Sequence, residues 1–228
     1  MGRTELHYTT GEDLFCEDIF DKAKQESNNI IGVCNYMSVG EYPRLASLAR
    51  SHFPNIRVVY GVEVSYLPQD ETTPAKMTLL AKNLDGIRAI NEILSSRQTV
   101  NGQSLCRYDT INQNRNNLLC GASGCESELF FAIKGNSSLK EVEKTAVKFD
   151  YFEIAPDSDE ENCEIYRKIY LLGQTVGVLV TATDGKGGRL DTQELAEALT
   201  YLTSEEKDDA LIYAANELCS HIDNIMFI

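Results

Sequence analysis

Apolar positions along the chain fall into short blocks whose spacing alternates between two kinds. Residues 5 to 9 read as a short strand, and the segment CEDIFDKAKQES that starts at Cys16 sets Ile19, Phe20 and Ala23 on one helical face. IIGVC at 30 to 34 is wholly apolar, as a strand buried on both faces must be. EYPRLASLARSHF at 41 to 53 is amphipathic with helical spacing, and RVVYGVEVSYL at 57 to 67 returns to a strand. KMTLLAK at 76 to 82 predicts another strand, and LDGIRAINEILSSR at 84 to 97 a helix burying Ile87, Ile90, Ile93 and Leu94.

The asparagine- and glutamine-rich stretch QTVNGQSLCRYDTINQNRNN predicts an extended loop with at most one short element. LLCGA at 118 to 122 is a strand, SELFFAIKG a helix stopped by Gly135, and SSLKEVEKTAVKF a helix capped by Ser137 or Ser138. YFEIA at 151 to 155 and VLVTAT at 178 to 183 are strands flanking the long helix DEENCEIYRKIYLLGQTVG. Two further helices are expected at 191 to 202 and 204 to 221. Repeated β-α units with apolar strands predict a parallel sheet, and so many of them favour a barrel over an open sheet. No linker, internal repeat or low-complexity run divides the sequence, so residues 1–228 are expected to form a single domain.

Composition narrows the function classes. The 228 residues carry a formal charge of −14, which opposes direct nucleic-acid binding because affinity for phosphate backbones rests on basic patches. No apolar run approaches a membrane span, and no basic-then-apolar signal opens the sequence, so no membrane contact is expected and a cytoplasmic location is the default. Seven cysteines, at 16, 34, 106, 120, 125, 163 and 219, include no Cys-x-x-Cys pair and read as reduced thiols.

Seven segments, in order, then carry a resemblance. ELHYTT resembles a Glu-Leu-His-x-His-Thr motif, and IIGVCNYMSVGEYP an apolar strand followed by Thr-Asp-His and a helix. VVYGVEVSYL resembles a strand with a glutamate after Tyr-Gly, and KMTLLAKNLDGIRAINEI a His-x-Thr-Leu-Leu-Ala segment with its helix. LLCGASGCESELFFAI resembles Gly-Ser-Ala-Cys-Glu-x-Gly-Glu-Leu-Phe, FDYFEIAP a strand ending in proline, and VGVLVTATDGKG a strand leading to Asp-x-His. Collinear over nearly the whole chain, these are similar to the PHP (polymerase and histidinol phosphatase) domain, above all to its version in the C-type bacterial DNA polymerase III alpha subunit. The resemblance implies an α/β fold, a distorted (β/α)7 TIM-like barrel of the PHP type.

An intact PHP site holds divalent metals through histidines and carboxylates from several strand ends, and a metal-bound water attacks phosphorus. Carried over by resemblance, the first histidine is kept as His7 and the second is replaced by Thr9. The Thr-Asp-His triplet has become Cys34-Asn35-Tyr36, the strand glutamate is kept as Glu63, and the histidine before Thr-Leu-Leu is Lys76. The motif cysteine falls on Gly124 with Cys125 next to it, and the closing Asp-x-His falls on Gly185-Lys186-Gly187 or on Asp184-Gly185-Lys186. The two other histidines, His52 and His221, lie in helices rather than at strand ends.

His7 and Glu63 are therefore the vestigial metal ligands, and no cofactor is expected. His7 alone reads as a hydrogen-bonded core residue. Glu63 can pair with His7, hold one metal, or meet a lysine, Lys76 or Lys186, whose ammonium would supply the charge once given by metals. A Lys76 exposed at a strand edge is the other reading. Cys120 and Cys125 read as buried thiols, TDGKGG at 183 to 188 as a shortened loop rather than a phosphate loop, and SDEENCE and SEEKDD as solvated helix starts. The expected function is a catalytically inactive PHP domain related to DNA polymerase III alpha. It would be a structural or interaction scaffold in DNA replication, with a polymerase or other replication proteins as partners. A remodelled metal-dependent phosphoesterase and an anion-binding module are the alternatives.

Overall fold

The computed structural model describes residues 16–25, 30–69, 72–183, 192–208 and 214–222. In chain order the elements are α1 (Cys16–Gln25), β1 (Ile30–Tyr36), α2 (Tyr42–His52), β2 (Arg57–Tyr66), β3 (Ala75–Ala81), α3 (Leu84–Ser95), β4 (Gln98–Val100), β5 (Gln103–Leu105), α4 (Tyr108–Gln113) and β6 (Leu118–Ala122). They continue with α5 (Glu128–Lys134), α6 (Leu139–Ala146), β7 (Tyr151–Ile154), α7 (Glu160–Val176), β8 (Leu179–Ala182), α8 (Thr192–Ala198), α9 (Ser204–Asp208) and α10 (Ala214–Ser220). The strand expected at 5 to 9 lies outside the described residues, as does 209 to 213 within the expected last helix.

Each helix is placed by the signals its sequence carries. On α3, Ala89, Ile90, Ile93 and Leu94 are buried and the Asn83 side chain caps the first turn by accepting from the Gly86 amide. Of the two serines before α6, Ser138 is the cap: its hydroxyl accepts from the Glu141 amide while the Glu141 carboxylate accepts from the Ser138 amide. The long α7 ends at Gly177, whose positive φ of 72° suits the left-handed turn that closes it.

Among the described residues, six strands form one sheet in the order β1-β2-β3-β6-β7-β8. It is not wholly parallel, as the β-α rhythm predicts. β3 runs antiparallel to both β2 and β6, while the β1–β2, β6–β7 and β7–β8 pairs are parallel. The reason is length: a parallel neighbour needs a crossover of a dozen or more residues, and only 67–74 separate β2 from β3. The sheet curls into a half-barrel. Cys34 of β1, Val59 of β2, Leu80 of β3, Leu119 of β6 and Tyr151 of β7 meet in one interior cluster with Leu218 and Ile222 at the end of α10, against which Leu179 of β8 also packs. The distorted TIM-like barrel expected from the sequence is thus the fold, and the helices cover its outer face through a larger second cluster.

Two features close the floor. Arg57, at the start of β2, donates from its guanidinium to the carbonyls of Cys219 and Ile222, both at 3.1 Å, and so holds the end of α10 inside the curl. Gly121 of β6 makes room for the Tyr151 ring, because a Cβ there would stand 2.3 Å from Tyr151 Cζ. The stretch expected to be a loop also differs. It holds the hairpin β4–β5 and α4, and the hairpin turns at Asn101-Gly102, both with positive φ (50° and 80°) as a tight two-residue turn requires.

Gly121→Ala is expected to lower unfolding stability by about 1–3 kcal/mol through overpacking against the Tyr151 ring. Shrinking that ring with Tyr151→Leu in the same chain should make the added cost of the alanine smaller. Urea denaturation of the two single variants and the double variant checks this.

Candidate functional site

Side-chain parity along the strands decides what faces the inside. The interior cluster fixes Cys34, Val59, Leu80 and Tyr151 as inward-facing. Stepping two residues at a time toward the C-terminal ends of β1, β2 and β7 brings Tyr36, then Glu63 and Ser65, then Glu153 to the same side. β3 runs the other way, so stepping back from Leu80 delivers Thr78 and Lys76 to that end of the barrel. These side chains form the mouth, where barrels build their sites.

Lys76 stands at its centre. Its Nζ lies 2.5 Å from Glu126 Oε2 and 3.9 Å from Glu63 Oε2, with the Tyr36 ring centroid 4.9 Å away. The first contact is a charge-assisted hydrogen bond; at the second distance Glu63 feels the ammonium as a charge without a direct bond. Glu126 comes from the turn between β6 and α5 and stays exposed. Tyr36 and Ser65 hydroxyls bond each other at 2.8 Å, and so do those of Thr78 and Ser123. The polar groups of this part of the mouth therefore satisfy one another.

The titration behaviour follows from burial. Desolvation raises the Glu63 carboxyl above its usual range, the Lys76 charge works to lower it and Glu126 adds to the rise. For Lys76, burial works against the charged form, but the hydrogen bond to Glu126 and the charges of Glu63 and Glu126 outweigh it, so the net shift is upward. Lys76 is thereby held as ammonium and is not a neutral-pH nucleophile or base. The Cys34 thiol below is raised first by its burial and then by the negative charges of Glu153 and Glu63.

Of the sequence-identified residues, Glu63, Tyr36 and Lys76 come together. The inward reading of Lys76 holds, and the exposed strand-edge reading does not. His7, Thr9, Asp184 and Lys186 lie outside the described residues. Cys120 packs on the helix-covered side of the sheet, its thiol pushed up to about 12 by burial, so it does not face Glu63. Cys125 is exposed rather than buried, because it sits on the short turn after β6 instead of within the strand. His52 is exposed at the end of α2 and bonds Ser51, and His221 is exposed beside Glu217. The described residues do not fit a metal cluster: no three His, Cys, Asp or Glu among them are arranged to hold an ion, and an ammonium stands against Glu63.

Glu153 is the mouth residue that the strand pattern alone did not single out. It is buried on β7 with Thr181 as its cross-strand neighbour. The signal was present: a lone carboxylate in the otherwise apolar YFEI strand has to be matched inside the fold. The rim beside Tyr36 is also built with some strain. Met37 adopts φ 55°, rare for a residue with a side chain, while its amide donates to the Glu63 carbonyl at 2.7 Å and its sulfur accepts from the Ser65 amide at 3.3 Å. Arg97 donates to the Met37 carbonyl and the Cys106 amide to the Ser65 carbonyl, so the segment carrying β4 and β5 leans on this rim.

Comparison with known proteins adds three findings. The sequence profile of the PHP domain matches residues 6–171. A structure from Bifidobacterium adolescentis, assigned as a metal-dependent phosphoesterase, superposes with a TM-score of 0.60 at 8% identity, covering 97% of this chain and 98% of that chain. An amidohydrolase from Chromobacterium violaceum, with bound sulfate and no metal, superposes with a TM-score of 0.53 at 10% identity, covering 83% of this chain and 91% of that chain. At such identities the likeness is one of fold. A search of curated proteins finds no match, and among the described residues no helix is long and apolar enough to cross a membrane.

Lys76→Met is expected to cost about 1–2 kcal/mol at neutral pH, mainly because it leaves the largely buried Glu63 without its nearby cation; Glu126 is exposed and solvent screens its share. Adding Glu63→Gln should recover part of that loss in urea denaturation. The raised Glu63 carboxyl also gives a pH signature. A group raised on folding adds stability below its ordinary value of 4.5 and loses it as pH climbs through the folded value. The stability of the native chain relative to Glu63→Gln should therefore fall as pH rises from 4.5 toward neutrality. A flat difference would show that burial does not perturb this carboxyl.

Proposed function

Since the chain belongs to the PHP domain family, we propose that it is a version close to that of the C-type bacterial DNA polymerase III alpha subunit, with most of the family's metal ligands lost. In this reading residues 1–228 act as one cytoplasmic domain, catalytically inactive, serving as a structural or protein-interaction scaffold in DNA replication. The observation that carries it is the Lys76 ammonium between Glu63 and Glu126. Where the resemblance places a histidine ligand there is a fixed positive charge, 3.9 Å from the Glu63 carboxylate. Repulsion between this charge and a divalent ion would disfavour metal, while the ammonium supplies the charge that keeps a buried Glu63 affordable. The hydroxyl pairs Tyr36–Ser65 and Thr78–Ser123 fill the same mouth with mutually satisfied groups, so the fold holds there by its own side chains. The net charge of −14 makes a protein partner, such as a polymerase subunit, the better fit than DNA itself.

A metal-dependent phosphoesterase is the second reading, favoured by the fold shared with the Bifidobacterium adolescentis structure. An anion-binding mouth is less favoured, because an anion at Lys76 would have to displace Glu126 at 2.5 Å and tolerate Glu63 beside it.

Elemental analysis of chelator-treated protein re-exposed to manganese and zinc separates the first two. The scaffold reading expects less than about 0.1 equivalents of metal and no change in melting temperature, since a ligand that binds the native state must stabilise it. It also expects no manganese- or zinc-stimulated hydrolysis of phosphate esters, and co-elution with a DNA polymerase III alpha subunit in size-exclusion chromatography. One tightly held equivalent, with hydrolysis lost in Glu63→Gln, would establish the phosphoesterase instead.

A further inference from the structure

The geometry points to the mouth of the barrel as a pocket for a primary alkylammonium group, with Lys76 as its built-in occupant. This deepens the scaffold reading and rests on Lys76 being the resident cation of the site. Three kinds of contact converge on the Nζ. Glu126 accepts a hydrogen bond at 2.5 Å, Glu63 supplies a second negative charge at 3.9 Å, and the Tyr36 ring presents its face at 4.9 Å. Two carboxylates and an aromatic face are the complement of a compact ammonium with N–H donors and one flank free to meet a π-cloud.

They are less suited to a bare divalent ion, for which a ring face is no ligand and for which the nearby hydroxyls are already engaged with one another. The site also comes from separate parts of the chain. Tyr36 ends β1, Glu63 is on β2, Lys76 is on β3 and Glu126 precedes α5. Tyr36 and Glu63 are already register partners between β1 and β2, and Lys76 pairs with Ser65 between β2 and β3, so the cation adds a side-chain tie across these strands and links them to the turn that carries Glu126. Because it is tethered, Lys76 is present at the high effective concentration of an intramolecular ligand, and a free amine cannot compete with it in the native chain. Removing the side chain beyond Cβ opens the pocket for an amine of matching size.

The test is Lys76→Ala titrated with n-propylammonium, which restores the deleted atoms. The expected result is a saturable rise in melting temperature of about 2–4 °C. Sodium chloride, 1-propanol and tetramethylammonium, which lack the charge, the size or the N–H donors, should not reproduce it. Glu63→Gln in the same chain should weaken the response, and the native chain should show none. An equal response to 1-propanol or sodium chloride would overturn the inference. So would a manganese response in Lys76→Ala that exceeds the amine response, because the opened pocket would then prefer a metal. That outcome leaves the scaffold reading intact, which fails only if the native chain binds metal and hydrolyses phosphate esters.

Should Lys76→Ala not fold in any of these solutions, the native chain decides by NMR. The Lys76 ε-methylene protons are expected upfield of the other lysines, under the Tyr36 ring, and the shift should vanish in Tyr36→Leu. Resonances that coincide with those of solvent-exposed lysines would overturn the pocket.

Discussion

A carboxylate taken out of water needs either a proton or a cation close by, and Glu63 sits on an interior strand face where one of the two must be provided. Its nearest described cation is Lys76. That pairing constrains much of what surrounds it. The lysine comes from the reversed β3, whose N-terminal end reaches the mouth: there Lys76 pairs with Ser65, two residues beyond Glu63 on β2, and approaches the carboxylate diagonally. Its ammonium also donates to Glu126, an exposed carboxylate on the turn before α5. The ring of Tyr36 then covers the ammonium from the β1 side, and its hydroxyl closes on Ser65.

Much of this was legible in the chain. The β-α rhythm gave the strands and helices, and the inward lysine was one of two readings of Lys76. What periodicity does not encode is strand direction. An apolar run such as KMTLLA has the same pattern whichever way it runs, and only the short link after β2 shows that β3 must turn back. The Asn101-Gly102 turn was equally readable, but the polar residues around it hide strands only three residues long. Glu153 was hidden for the opposite reason: in a short strand between hydrophobic neighbours it blends into the core until its facing direction is known.

The mouth and the floor divide the interior into two chemistries. Among the described residues, the inward side chains at the mouth are carboxylates, hydroxyls, the Tyr36 ring and the Lys76 ammonium; deeper in the barrel they are Cys34, Val59, Leu80, Leu119 and Tyr151. The apolar layer gives the barrel a packed core that does not depend on a bound ion, while the polar layer carries the identity of the site. Changes in the upper layer can therefore alter chemistry without dismantling the fold, as separation of fold from function allows.

The grip of Arg57 on the carbonyls of Cys219 and Ile222 has a consequence for biosynthesis. It joins residues 162 and 165 positions apart, so the interior cluster acquires its last members only when the end of α10 arrives. During translation the half-barrel would spend most of its synthesis with Cys34, Val59 and Leu80 facing an unfilled cavity, and the non-local closure makes the final step slow compared with helix formation. A chain stalled before Ile222 would leave that apolar floor uncovered, the kind of surface through which incomplete folds aggregate.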